Sequence, residues 1–366
     1  MRRWARAAVV SLATLATLAG GAALLAAVTL CTGCSSLSYY AQSVGGHLDL
    51  LRRARPIPEV LADPATPAAL RDRLQLAQQL RQFAVQQLAL PDNASYQRYA
   101  DLQRPAVVWN VVATPELSLQ LHTWCYPLMG CVGYRGYFSR ADALAEADAQ
   151  RAAGLEASVY GVPAYSTLGW GNWLGGDPLL NTFVSGAESS LARLVFHELS
   201  HQVVYVADDT MFNESFATAV ERLGLARWQR RGGSAGRSPD DTLALQRQAD
   251  FRAITLRARQ ALAALYASGA PEPEQRAAKA QVLATLRAEH AALKAGAWQG
   301  HAGYDDWFAR SNNAALAVLA AYDGLVPDFE RLFHQQGDDF GRFYAAVRRL
   351  AALPPAQRLE QLQQRP

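Results

Sequence analysis

Charge is scarce in this chain. Only 18% of residues are Asp, Glu, Lys or Arg while 50% are hydrophobic, which excludes a disordered polyelectrolyte. In 366 residues that leaves ample apolar material for a large core, as one domain or two unequal ones. The net charge of +3 is supplied by Arg2, Arg3 and Arg6, after which 32 basic residues balance 32 acidic ones. With no basic stripe, nucleic acid is excluded as a partner. Cysteine is scarce too. There are four, Cys31, Cys34, Cys125 and Cys131, and no second Cys/His pair of matching spacing accompanies the last two, which argues against a cysteine zinc site. There is no long internal repeat.

What is present begins at the N-terminus. Three arginines precede an apolar run from Ala7 to Leu30, and the run closes on Cys31-Thr32-Gly33-Cys34. A charged head, an apolar stretch and small residues before a cysteine are the parts of a cleaved export signal. The pattern resembles a bacterial lipoprotein lipobox, with Cys31 where that box usually carries leucine. The resemblance implies loss of residues 1–33, a lipid on Cys34 that anchors the protein to a membrane, and, with Ser35 next, an outer-membrane location facing the periplasm. The alternative is an uncleaved anchor, since about 20 apolar residues span a bilayer. Both readings export the body of the protein. In an oxidising compartment the isolated pair Cys125 and Cys131 is a natural disulfide, and closing so small a loop contributes a few kcal/mol at most.

Apolar spacing predicts helices from Tyr39 to about Leu90, broken by Pro56, Pro58, Pro64 and Pro67. Strand-like patches follow at Val107–Ala113, Leu117–Trp124, Val132–Phe138, Ala157–Val162 and Leu179–Val184, with a Gly- and Trp-rich loop from Gly169 to Gly176. From Ser185 onward helices dominate. Ser185-x-x-Glu188 has the form of a capping box opening a helix that runs through His201. Further helices are predicted at Thr210–Arg230, Asp240–Ala267, Glu272–Ala295, Asp305–Tyr322, Asp328–His334 and Phe340–Leu350, with a polar loop at Arg231–Pro239 and a frayed tail from Gln361. The two long charged helices form a hairpin with solvated faces.

The chemistry lies in His197-Glu198-Leu199-Ser200-His201. Residues four apart share a helix face, so both imidazoles reach one metal ion, while Glu198 is turned about 100° from His197 to meet a water held there. Zinc lowers the pKa of a bound water to about 7, and a nearby carboxylate can move its proton to a leaving amine. A catalytic zinc needs a third protein ligand and an open position. Glu214, in Asn213-Glu214-Ser215-Phe216-Ala217, is the candidate, brought back by the turn at Asp208-Asp209-Thr210. Asp208 and Asp209 are alternatives, though aspartates beside Thr210 are more often turn and cap residues. The oxyanion of peptide hydrolysis calls for a donor, for which Tyr205, one turn beyond His201, and the later Tyr304, Arg310 and Tyr322 are candidates. Asn213 either orients a metal ligand or stabilises the turn. Trp124, Tyr126, Tyr134, Tyr137, Tyr165, Trp170 and Trp173 either line a cleft or pack in the core.

HELSH followed by NESFA resembles the gluzincin arrangement of HExxH and a downstream glutamate. Together with the lipobox, the Ser-Ser-Leu-Ser-Tyr-Tyr start and HQVVYVADDTMFNESFA, it resembles a family of bacterial proteins named as putative aminopeptidases. The resemblance implies His197, His201 and Glu214 as zinc ligands and Glu198 as base. One departure is the interval of 12 residues between His201 and Glu214, shorter than in the large gluzincin aminopeptidases, so their substrate pocket does not transfer. By analogy with zincins, Leu179–Val184 is the sheet edge that would hold substrate as an added strand.

The expected fold is therefore α+β and mainly α-helical, a zincin-like core with a small twisted sheet packed on the HExxH helix. The expected organisation is a signal (1–33), an N-terminal helical segment (34–104), a catalytic core (105–230), a helical hairpin (231–300) and C-terminal helices (301–366). The expected function is zinc-dependent hydrolysis of peptides by a lipid-anchored envelope protein. Its rivals are an envelope endopeptidase and a non-catalytic zinc-binding lipoprotein that binds partners.

Overall fold

A computed structural model of the chain describes residues 34–126, 130–164, 175–232 and 239–364, with the helical backbone alone at 34–38, 239–241 and 320–323. The signal segment 1–33, the side chain of Cys34, Tyr165, Trp170, Trp173 and most of the Gly169–Gly176 and Arg231–Pro239 loops lie outside that description. Leu51–Pro366 forms one compact unit, and the helix Cys34–Arg53 straddles its start. Among the described residues no helix is long and apolar enough to cross a membrane.

The fold is α+β and mainly helical, with sheets of two or three strands. The main sheet is fully antiparallel. Its central strand, Val108–Pro115, pairs with Leu155–Val162 over eight residues and with Arg135–Tyr137 over three. Val111, Val112 and Ala113 are wholly buried because helices Arg140–Ala152 and Asn313–Asp323 pack against this sheet. The second helix also packs on Thr210–Arg230, so it joins the sheet to the helix that carries Glu214. The HELSH helix itself, Glu188–Ser200, has its extensive contacts with Thr210–Arg230 and Ala68–Leu88 rather than with the sheet. Gly224 permits the close approach of that pair. A Cβ there would lie 2.8 Å from the ring of Phe196 and from Leu88, both in the core.

Several expectations are corrected. Of Leu117–Trp124 only Trp124 enters a strand, Trp124–Tyr126. The chain turns at Ser118 and returns His122 N to Ala113 O, while Leu119 and Leu121 pack into two different apolar clusters, so the alternation reflects irregular packing. Val132–Phe138 holds the last residue of one short strand, Gly130–Val132, and the whole of another, Arg135–Tyr137. Leu179–Val184 is a strand for two residues only, parallel to Tyr99–Ala100, and then a helical turn, too short an edge to hold an extended peptide. The capping box at Ser185 is absent. Ser185 ends the turn Asn181–Val184, the longer helix starts at Glu188 without a side-chain cap, and Glu188 accepts a hydrogen bond from Trp228 Nε1 at 2.8 Å. Asp305–Tyr322 is broken at Arg310 into Asp305–Ala309 and Asn313–Asp323. The tail does not fray at Gln361. Helix Pro355–Gln363 buries Leu362, whose carbonyl accepts from Arg331 at 2.7 Å.

The hairpin of Pro239–Ala267 and Glu272–Ala295 has its own apolar cluster, built on Ile254, Leu262, Leu286, Trp298 and Phe308. Cys125 and Cys131 are joined by a disulfide across a two-stranded ribbon, Trp124–Tyr126 with Gly130–Val132.

Candidate metal centre

The site is built where two buried helices meet. Leu191, Val195, Phe196 and Leu199 anchor Glu188–Ser200 in the core and leave His197 and Glu198 on a less buried side. The helix ends at Ser200, whose hydroxyl bonds back to the His197 carbonyl at 2.6 Å, and His201 is its capping residue. Eight residues later Asp209 caps the next helix, accepting from Phe212 N at 3.0 Å. Phe212 and Phe216 hold that helix against Phe329, so Glu214, between them in sequence, faces away from their cluster. The intervening loop is clasped by Asn213, whose amide donates to Val206 O at 2.7 Å and accepts from Val206 N at 2.9 Å.

Three ligand atoms converge. His197 Nε2 and His201 Nε2 are 3.2 Å apart, and Glu214 Oε2 lies 3.3 Å from the first and 3.8 Å from the second. Atoms bonded at about 2.1 Å to one tetrahedral centre stand about 3.4 Å apart, so the spacing is that of a ligand set. Among the described residues this is the group of His, Cys, Asp and Glu able to hold a metal ion. Two imidazoles and one carboxylate also fit the donor preference of zinc and leave a fourth position open. Facing ring nitrogens 3.2 Å apart in a buried place have no stable role of their own unless a proton or a cation lies between them.

Electrostatics follow the same geometry. Burial alone would lower the pKa of His197, but hydrogen bonds to Glu214 and Glu221 carry it well above the ordinary value. His201 is pulled down to about 4, chiefly by burial. Its Nδ1 is buried without a hydrogen-bond partner. Glu214 and Glu221 are subject to the upward push of burial, yet the neighbouring histidines, and Arg193 for Glu221, hold both below the usual range. Glu198 goes the other way, pushed up to about 7 by burial first and by the carboxylates Glu214, Asp177 and Glu221, against the lowering effect of His197.

Glu221 and Arg193 join the site although neither is among the sequence candidates. Glu221 Oε2 lies 3.1 Å from His197 Nδ1, and its other oxygen accepts from Arg193, which also reaches Gln248. Both spacings carried a signal. Arg193 precedes His197 by four residues and Glu221 follows Glu214 by seven, so each shares its helix face with a ligand. A carboxylate on Nδ1 fixes the ring and leaves Nε2 to the metal.

The remaining candidates are dispersed. Tyr205 does not extend the face of His201, because the helix has already ended. It sits in the loop, 39% exposed, close enough to Asp208 and Glu214 for their charge to raise its pKa together with burial. Tyr304 stacks on Phe251 at 4.9 Å in the hairpin cluster, and Arg310 pairs with Asp306 on the surface. The side chain of Tyr322 lies outside the described part. Asp209 is a cap that also pairs with Arg358. Asp208 accepts from Cys131 N at 2.5 Å, docking the disulfide ribbon on the loop between the two helices. Gly130, at φ +73, is required at that contact, since a Cβ would lie 2.1 Å from Asp208 Oδ1. Of the aromatics, Tyr137 donates to Glu146 at 2.9 Å, Tyr134 packs beside Val112 and Ala314, and Trp124 meets His122 edge to face.

No curated protein and no solved structure matches the chain. A family model does, over residues 38–362, and its description is "Putative aminopeptidase". The chain belongs to that family.

Proposed function

We propose that this protein is a zinc-dependent aminopeptidase, exported and held by a lipid on Cys34 at the periplasmic face of a bacterial outer membrane. The observation that carries the proposal is the tetrahedral spacing of His197 Nε2, His201 Nε2 and Glu214 Oε2 next to Glu198. Three protein ligands and an open position are the catalytic rather than the structural pattern. The family supplies the reaction class.

His197, His201 and Glu214 hold the ion. When bound, zinc lowers the pKa of a water molecule to about 7 and polarises a carbonyl. Glu198 takes the proton from the attacking water at a carboxylate oxygen and returns it to the leaving amine. A carboxyl near 7 is suited to both transfers at neutral pH. Glu221 keeps His197 in the tautomer that presents Nε2, and Arg193 keeps Glu221 ionised. Low exposure of the whole group strengthens each of these interactions. Peptides with a free N-terminus are the substrates.

The test is a peptide-library digest with the body from Ser35 onward, loaded with zinc, beside Glu198→Gln. Stepwise trimming from the N-terminus, lost by about 10²–10⁴-fold in the variant, is expected. Internal cuts would replace aminopeptidase by endopeptidase, and no cleavage with zinc bound would replace both by a binding protein. Export and anchoring rest on the arginine-led apolar run and Thr32-Gly33-Cys34. Fatty-acid labelling of the full chain in a bacterial host, abolished in Cys34→Ser, is the matching result.

A further inference from the structure

Of the eight large hydrophobic side chains that stand exposed among the described residues, three share one helix. Tyr40, Val44 and Leu48, on Cys34–Arg53, are 42%, 60% and 42% exposed, and the other five are scattered singly over other parts of the chain. Steps of four residues keep these three within about 80° of the helix circumference, so they form one apolar stripe. Gln42 and Asp49 lie about 140–160° round from Val44, which gives the helix a polar side opposite the stripe. Single apolar residues are ordinary on a protein surface, but an apolar row along one side of a helix marks a face that leaves water.

The sequence places a bilayer beside this row. The apolar run Ala7–Leu30 and the small residues Thr32 and Gly33 end where the helix begins, at Cys34. With residues 1–33 removed and a lipid on Cys34, or with the run kept as an anchor, attachment falls at the first residue of the helix. A rise of 1.5 Å per residue sets Tyr40, Val44 and Leu48 about 9, 15 and 21 Å along the axis from that point. A helix standing away from the bilayer would hold the stripe in water, whereas one lying along the surface buries all of it. The helix is not apolar enough to cross. Its last turn carries Arg52 and Arg53, both exposed, whose charge complements anionic headgroups. Arg52 follows Leu48 by four residues and so continues the row.

We propose that the helix Cys34–Arg53 lies flat on a phospholipid surface. Tyr40, Val44 and Leu48 enter the boundary between headgroups and acyl chains, and Arg52 and Arg53 sit among anionic headgroups. This second contact rests on the export and anchoring reading above. It gives the protein an affinity for the bilayer that persists without the acyl group.

The probe is a vesicle of phosphatidylethanolamine with a minor share of phosphatidylglycerol. The protein is the body from Ser35, which lacks the lipid-bearing cysteine but keeps the rest of the helix and the compact unit Leu51–Pro366. Flotation should recover it with the vesicles, and less of it when phosphatidylcholine replaces phosphatidylglycerol. Val44→Asp should lower the partition coefficient by about tenfold or more, the size of losing one buried aliphatic side chain. Gln42→Asp adds the same charge to the polar side and should bind within about twofold of wild type. Leu48→Asp supplies the first result again if Val44→Asp does not fold. No flotation of the wild-type body, or equal binding by Val44→Asp and Gln42→Asp, overturns the proposal. A dimer in sedimentation equilibrium that Val44→Asp dissociates, with no vesicle binding, overturns it in favour of a second copy of the chain. Fatty-acid label on Cys34 together with a body that ignores vesicles removes this inference alone. No label, together with vesicle binding that Val44→Asp abolishes, removes the lipid and leaves the helix face standing.

Discussion

The helices Glu188–Ser200 and Thr210–Arg230 bury a cluster of charge between them, whereas the helices Pro239–Ala267 and Glu272–Ala295 carry most of theirs outside. In the first pair Arg193, His197, His201, Glu214 and Glu221 have side chains only 7–16% exposed. In the second, Arg257 with Glu289 and Arg276 with Glu272 are 36–70% exposed. Both pairs pack through apolar residues, so burial of charge is not needed to join two helices here. Desolvating five ionisable groups costs free energy that Coulomb attraction offsets only in good geometry. The first pair bears that cost at the place where His, His and Glu converge, and the second bears it only where Lys279 meets Glu156. The difference is what the proposed function calls for in the first pair.

The largest break in this contrast is Glu214→Ala. It leaves two imidazoles for the metal, and zinc affinity should fall by more than the roughly 10–100-fold typical of an outer-shell partner, with peptide hydrolysis lost. Metal content by mass spectrometry after dialysis is the measurement. Unchanged occupancy would show that the carboxylate is no ligand, and the buried charge would then need another explanation.

Glu221→Ala acts next. It removes the acceptor on His197 Nδ1 and leaves the Arg193 cation buried with Gln248 alone. Zinc should bind about 10–100-fold more weakly, and the metal-free protein should lose about 3–5 kcal/mol, as when one half of a buried pair is taken away. Denaturant unfolding reads the second quantity. A loss under 1 kcal/mol would make this pair no different from those on the hairpin.

Glu198 sharpens the contrast through pH. Its folded pKa of about 7 lies above the ordinary 4.5, so the folded chain binds this proton more tightly than the unfolded one. The stability this contributes is complete below about pH 4.5 and is lost as pH rises through 7. Above pH 7, metal-free wild type carries a penalty of at most about 3 kcal/mol that a neutral amide does not. Metal-free Glu198→Gln should therefore unfold at a higher temperature than wild type at pH 8, with the gap closing toward pH 4. A gap that grows on acidification would reverse the sign and refute a raised Glu198.

The site was legible where its information is local. His197 and His201 stand one helical turn apart, and Glu214 follows a turn with a cap at Asp209, so spacing along the chain carried all three. The helix Thr210–Arg230 has the bounds its pattern predicts. Residues that depend on how distant segments meet were not legible. Ser185-x-x-Glu188 imitates a cap because Ser185 closes a different helical turn, and only the chain direction before it distinguishes the two. Leu117, Leu119 and Leu121 alternate like a strand, yet Leu119 and Leu121 serve separate clusters, so period alone misled. Glu221 was readable from its seven-residue interval, but only the crossing at Gly224 brings it to His197.

The smallest effect belongs to the hairpin, and it completes the comparison. Arg257 Nη2 lies 2.9 Å from Glu289 Oε2, as good a distance as any in the site, but the two side chains are 58% and 36% exposed. Water screens the attraction, and ordering two long side chains costs entropy, so such pairs contribute about 0–1 kcal/mol. Arg257→Ala should change stability by no more than that and leave zinc binding untouched, as read by denaturant unfolding and metal titration. The hairpin also supplies its own control. Lys279, 9% exposed, pairs with Glu156 and donates to Glu116 O at 2.7 Å, fastening the second helix to the sheet. Lys279→Ala would leave Glu156 with the Asn313 N–H alone and should cost several-fold more than Arg257→Ala on the same helix pair. If the two losses were equal, exposure would not be the variable that separates the two helix pairs, and function could not be inferred from buried charge alone.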